Sequence, residues 1–126
     1  MEKDLKDKKI LLIEDDPFLI DIYTKEFENS RIEIQVIRDG LEALKFLKEN
    51  KVDLILLDIL LPRFSGWQIL EEIKKIPEIK DTKVIILSNL SNKEDIEKAF
   101  SLGIEKYLVK AHFLPKEVVK ETLDLL

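Results

Sequence analysis

Five times along this chain, a short, largely apolar run is followed by a segment whose apolar residues fall three or four apart. The runs occupy residues 10–13, 32–37, 54–57, 84–87 and 107–109. The segments after them carry Leu19, Ile22, Tyr23 and Phe27; Leu41, Leu44 and Leu47; Ile69, Leu70 and Ile73; Ile96, Ala99 and Phe100; and, over 115–126, Val119, Leu123 and Leu126. An apolar run too short for a helix suits a strand covered on both faces, and three-to-four spacing gives a helix one buried stripe. The repeated pair predicts an α/β domain, a doubly wound (βα)5 three-layer sandwich around a five-stranded parallel sheet. "IEIQVI" alternates for most of its length and suits an edge strand, whereas "ILLI", "LILL" and "VIIL" belong inside. An order of 2-1-3-4-5 meets both conditions, among other doubly wound orders.

Composition narrows the classes. At 126 residues and 45% hydrophobic content, the chain is expected to form one domain over 1–126. A net charge of −5 argues against a basic nucleic-acid-binding face. The absence of cysteine excludes disulfides and thiolate metal sites. No apolar run approaches the ~18 residues of a membrane span, and the opening "MEKDLKDKKI" lacks the apolar stretch of a signal peptide. The expectation is a cytoplasmic protein without membrane or direct nucleic-acid contacts.

Ligands of doubly wound sheets bind beyond the carboxyl ends of the strands, so the residues that follow each run carry the functional argument. Strand 1 is followed by Glu14, Asp15 and Asp16, strand 3 by Asp58, and strand 4 by Ser88 and Asn89. Strand 5 ends in Lys110, and strand 2 ends in "RDG". Asp16 before Pro17 reads as a helix start, an N-cap followed by proline at the first helical position. Glu14 and Asp15 alone would read as solvated loop acids, but Asp58 ends the neighbouring strand. Three converging carboxylates raise one another's pKa unless a cation sits among them. Their all-oxygen chemistry suits a hard divalent ion, Mg²⁺ first. Lys110 offers a fixed positive charge for Asp58 or an incoming anion, and Ser88 offers a turn hydroxyl or a donor to a phosphoryl oxygen.

The ordered motifs "ILLIEDDP", "DGLEAL", "DLILLDILLPRFSG", "VIILS", "AFSLG" and "YLVK" run nearly the whole length of the chain. In these the chain resembles the receiver domain of bacterial two-component response regulators. The resemblance implies that Asp58 is the phospho-acceptor, with Asp15 a direct Mg²⁺ ligand, Glu14 acting largely through water, and the Leu60 backbone carbonyl completing the metal site. It implies catalytic roles for Lys110 and Ser88, and a switch in which Ser88 moves toward the phosphoryl group while Tyr107 turns inward. The implied partners are a sensor histidine kinase or histidine phosphotransfer protein upstream, a downstream protein target, and a phosphorylation-dependent dimer. The implied output is a changed face around helix 4, strand 5 and helix 5. The chain would be a signalling switch, an enzyme only toward its own aspartate, either standing alone or as part of a longer protein.

One departure from the family pattern is Ala111, where the family places a proline after a cis bond. A cis bond costs about 2.5–4 kcal/mol before a non-proline residue, against about 0.5–1 before proline. The expectation is nevertheless a cis Lys110–Ala111 bond, which would aim Lys110 into the site. Leu60 and Leu90 lie where the family often has polar groups near the attacking water, which predicts slow loss of the phosphoryl group. His112 reads as a surface loop residue and Trp67 as a partly packed one. Two other functions compete: a phosphorylation-independent pseudo-receiver that only binds partners, and a Mg²⁺-dependent phosphatase. The phosphatase reading lacks a D-x-D after strand 1, and Gly40, Gly66 and Gly103 do not form a dinucleotide-binding G-x-G-x-x-G.

Overall fold

The computed structural model describes residue 5 and residues 7–126; of the charged opening stretch, residues 1–4 and 6 lie outside the described residues. The strands are β1 (Ile10–Ile13), β2 (Ile34–Ile37), β3 (Leu54–Leu57), β4 (Lys83–Ser88) and β5 (Lys106–Val109). The helices are α1 (Pro17–Asn29), α2 (Gly40–Glu49), α3 (Gly66–Lys75), α4 (Lys93–Ser101) and α5 (Pro115–Leu123), with a short 3-10 turn at Lys110–His112. All strand pairs are parallel, in the order β2-β1-β3-β4-β5. The doubly wound fold and its strand order are as the sequence predicts.

Alternation along each strand divides the core in two. Leu11, Ile13, Ile55, Leu57, Val84 and Ile86 face α2, α3 and α4, where Ala43, Leu47, Ile69, Leu70, Ile73 and Ala99 close over them. Ile10, Leu12, Leu54, Leu56, Ile85 and Leu87 face α1 and α5, against Tyr23, Phe27, Val118 and Val119. The central strands β1 and β3 are buried at every position, whereas β2 keeps Gln35 exposed at the edge. Two predicted core positions are exposed: Leu41 in the first turn of α2 and Phe100 in α4. In α2 the stripe runs through Ala43, Leu44 and Leu47, which rotates Leu41 outward.

Local chemistry starts α1, α2 and α3 close to the strand ends. Asp16 Oδ1 accepts from the N–H groups of Phe18 and Leu19, and Asp39 Oδ1 accepts from those of Leu41 and Glu42. Ser65 and Gln68 form a reciprocal capping box at α3. Asp16 is thus the helix cap that its place before Pro17 implies.

Candidate functional site

Because β1, β3, β4 and β5 are parallel and adjacent, their carboxyl ends bring Glu14, Asp58, Ser88 and Lys110 to one edge of the sheet. The strand cores that deliver them are rigid and dry, so these polar groups are themselves buried: Glu14 is 1% exposed, Asp58 5% and Ser88 0%. The Lys110 side chain retains 10% of its surface. Its Nζ donates to Asp58 Oδ2 at 2.9 Å. The same ammonium lies 2.5 Å from Glu14 Oε1, an ion pair rather than an aligned hydrogen bond. Asp58 Oδ1 accepts from the Leu60 N–H at 3.1 Å. Glu14 Oε2 accepts from the N–H groups of Asp15 and Asp16 at 3.1 and 3.2 Å.

Carboxylate oxygens of Glu14, Asp15 and Asp58 lie within 4.8 Å of one another. One ammonium among three carboxylates leaves two negative charges uncompensated in a largely desolvated space. Burial, the largest effect, and the Asp58 charge push the Glu14 carboxyl above its ordinary value of 4.5, against the opposing contacts with Lys110 and the Asp16 N–H. Burial alone would lower Lys110, but its contacts with Glu14 and Asp58 and their charges outweigh it and hold its pKa above the usual lysine value. A divalent cation fits this donor set: the ligands are all hard oxygens, the charge deficit is two, and Glu14 Oε1 lacks an aligned donor.

A pH dependence follows from the Glu14 shift. A carboxyl whose folded pKa is raised destabilises the fold once both states are ionised, and the loss develops as pH rises from 4.5 through the raised folded value. In metal-free buffer, the unfolding free energy of Glu14→Gln relative to wild type is expected to increase over that window. Urea midpoints at a series of pH values check it; a flat or falling difference contradicts it.

The peptide bond preceding Ala111 is the main correction. No cis peptide bond occurs among the described residues, so Lys110–Ala111 is trans, and Lys110 still reaches Asp58 and Glu14. The 3-10 turn at Lys110–His112 redirects the chain, and the Ala111 N–H donates to Asn89 Oδ1 at 3.1 Å. A proline could not make that bond, so alanine contributes a tie between the β4 and β5 loops that a proline at this position would lack.

Leu90 joins the two residues expected to switch. Ser88 Oγ accepts from the Leu90 N–H at 3.3 Å, and the Tyr107 hydroxyl donates to the Leu90 carbonyl. Tyr107 is half-buried, and burial, then the charges of Asp95 and Asp58, raise its pKa. Leu60 is 59% exposed at the rim. His112 is exposed, and Trp67 packs on the core with Lys98 Nζ 4.4 Å from its ring centroid.

Sequence reasoning assigned no role to three contributors. Asn89 holds the Lys110 loop, and Arg38 Nη2 donates to the Asp15 carbonyl at 3.0 Å. Gly66 opens α3 so close to β3 that an added Cβ would lie 2.3 Å from the Asp58 carbonyl oxygen. The only advance signal for Gly66 was a poor helix former at the first position of a helix.

Comparison with known proteins places this geometry. The model of the "Response regulator receiver domain" family matches residues 10–122. A probable cyclic di-GMP phosphodiesterase of Vibrio cholerae is 34% identical over 113 residues, 90% of this chain, which spans only 25% of that protein's length. The crystal structure of the Mn²⁺-bound form of response regulator Rcp1 superposes with a TM-score of 0.79 at 32% identity, covering 94% of this chain and 91% of that one. The phosphorylated cyanobacterial phytochrome response regulator RcpA gives a TM-score of 0.82 at 30% identity, with 94% and 96% covered. Among the described residues, no helix is long and apolar enough to cross a membrane. Receiver domains are signalling domains that interact with histidine kinases and downstream effectors. With its strand order, its acidic cluster and its match over residues 10–122, the chain belongs to the response regulator receiver domain family of two-component signalling.

Proposed function

We propose that residues 1–126 are a single receiver domain that accepts a phosphoryl group on Asp58 and uses it as a signal to a partner protein. The observation that carries this reading is Lys110 held between Asp58 and Glu14 at 2.9 and 2.5 Å, with the Asp15 carboxylate in the same cluster. A carboxylate oxygen of Asp58 attacks the phosphorus of a phosphohistidine on a sensor kinase or phosphotransfer protein. The P–N bond breaks, and the imidazole departs with its electron pair and takes up a proton. Lys110 offers its remaining N–H donors to the phosphoryl oxygens. Glu14, Asp15 and Asp58, with the Leu60 backbone carbonyl, would hold Mg²⁺, which neutralises charge on the transferring group. The Mn²⁺-bound form of Rcp1 supports a divalent ion here, and phosphorylated RcpA supports the acceptor role.

Ser88 then exchanges its bond with the Leu90 N–H for a phosphoryl oxygen. Leu90 also receives the Tyr107 hydroxyl, so moving its N–H alters the seat of Tyr107. The change reaches the α4–β5–α5 face, where a downstream target or a phosphorylation-dependent second copy would bind. A cytoplasmic location is part of this proposal, since phosphohistidine donors act there.

Incubation with Mg²⁺ and acetyl phosphate followed by intact-mass measurement tests it. Wild type is expected to gain one phosphoryl adduct, which Asp58→Asn and chelator both remove. No adduct on wild type would favour a phosphorylation-independent binding module. Leu60 and Leu90 give an attacking water nothing to orient on, so the adduct should persist for minutes or longer; decay within seconds contradicts that part.

A further inference from the structure

We infer that Arg38 is a positioning residue for the divalent-cation site, acting through the main chain of Asp15. The inference rests on the reading of Glu14, Asp15 and Asp58 as ligands of that cation. Two of these acids are held by their side chains. Asp58 is tied to Lys110 and to the Leu60 N–H, and Glu14 to Lys110 and to two backbone N–H groups. Among the described residues, no hydrogen bond or ion pair holds the Asp15 carboxylate, so its main chain determines where it is presented.

That main chain is fixed at both ends. The Asp15 N–H donates to Glu14 Oε2, and the Asp15 carbonyl accepts from Arg38 Nη2 at 3.0 Å. The carbonyl lies before the helix: Asp16 is the N-cap of α1, and its carbonyl takes the bond from the Ile20 N–H. Nothing in α1 can therefore replace Arg38. Ile37 pairs in register with Ile13, and its carbonyl accepts from the Glu14 N–H at 3.2 Å. Residues 37 and 38 thereby extend the grip of the edge strand onto the loop that carries both acids.

The β2–α2 loop is itself anchored on its other side. Asp39, while capping α2, also pairs with Arg63 of the β3–α3 loop. At Gly40 an added Cβ would lie 2.4 Å from the Phe64 carbonyl oxygen, so the two loops meet backbone to backbone. A strand that contributes no ligand thus braces both loops that do.

Charge and position predict opposite signs, which makes the role testable. Removing a positive charge from the loop next to the acids would by itself tighten cation binding, whereas releasing Asp15 would weaken it. Calorimetric titration with MgCl₂ and with MnCl₂, at fixed ionic strength, compares wild type, Arg38→Met, Arg38→Lys and Asp15→Asn. Arg38→Met keeps the stem but loses the donor, and is expected to weaken both ions about 3- to 10-fold. Arg38→Lys retains a donor and should stay within about twofold of wild type. Urea midpoints of the same proteins separate this effect from lost folding. Arg38→Met binding as tightly as wild type, or more tightly, overturns the role of Arg38 and leaves the cation site standing. If wild type binds neither ion, or Asp15→Asn binds as well as wild type, the cation-site reading fails and the inference falls with it.

Discussion

Lys110→Met is expected to slow phosphoryl uptake at Asp58 by about 10²- to 10³-fold, the usual consequence of removing a preorganised donor aimed at developing charge. In metal-free buffer near neutral pH it should also destabilise the fold by about 3 kcal/mol. Glu14 and Asp58 are 1% and 5% exposed and would lose the ammonium they share. The destabilisation has a predictable pH course. Without Lys110, Glu14 loses the contact that opposes its raised pKa and holds its proton more tightly than in wild type, so it becomes neutral as pH falls and the penalty shrinks. Urea midpoints at several pH values, with and without Mg²⁺, check this. A loss that stays constant with pH and is unrelieved by Mg²⁺ would mean that Lys110 stabilises by packing rather than by charge.

Gly66→Ala is expected to cost about 3 kcal/mol, the upper end of overpacking effects. Its Cβ would lie 2.3 Å from the Asp58 carbonyl oxygen and 2.6 Å from the Ile59 Cα, and neither backbone atom can rotate away. Relief requires α3 to move off the end of β3, which displaces Asp58 itself, so phosphoryl uptake should fall along with stability. Gly103→Ala provides the contrast. Gly103 has φ +88°, but a Cβ there meets only the end of Lys74 at 3.4 Å. Its cost should be about 1 kcal/mol, from backbone conformation alone, with the site intact. Urea midpoints at unchanged slope measure both, and a milder loss for Gly66→Ala than for Gly103→Ala would refute the packing argument.

These two residues mark the limits of what could be read in advance. Lys110 was legible because it ends a strand, and strand ends converge in any parallel sheet. Its aim was not legible. The family pattern suggested a cis bond in spite of the missing proline, whereas a trans bond, a 3-10 turn and the side chain of Asn89 deliver the same lysine. The Lys110 contact with Glu14 was also unforeseen, since pairing was expected with Asp58 or an incoming anion. Leu41 and Phe100 satisfied helical spacing yet lie outside, because spacing identifies a stripe and not which edge of it the sheet covers.

The sequence by itself determined the alternation of strands and helices, the cap at Asp16, and the set of polar groups at the strand ends. All of these depend on residues a few positions apart, where periodicity and capping act. Only the tertiary structure decided how the acids are held. Arg38 grips Asp15 from 23 residues away, Ala111 meets Asn89 from 22, and the Gly66 backbone rests on Asp58. Such contacts form between segments distant in the chain, and their geometry exists only once the strands are paired in register.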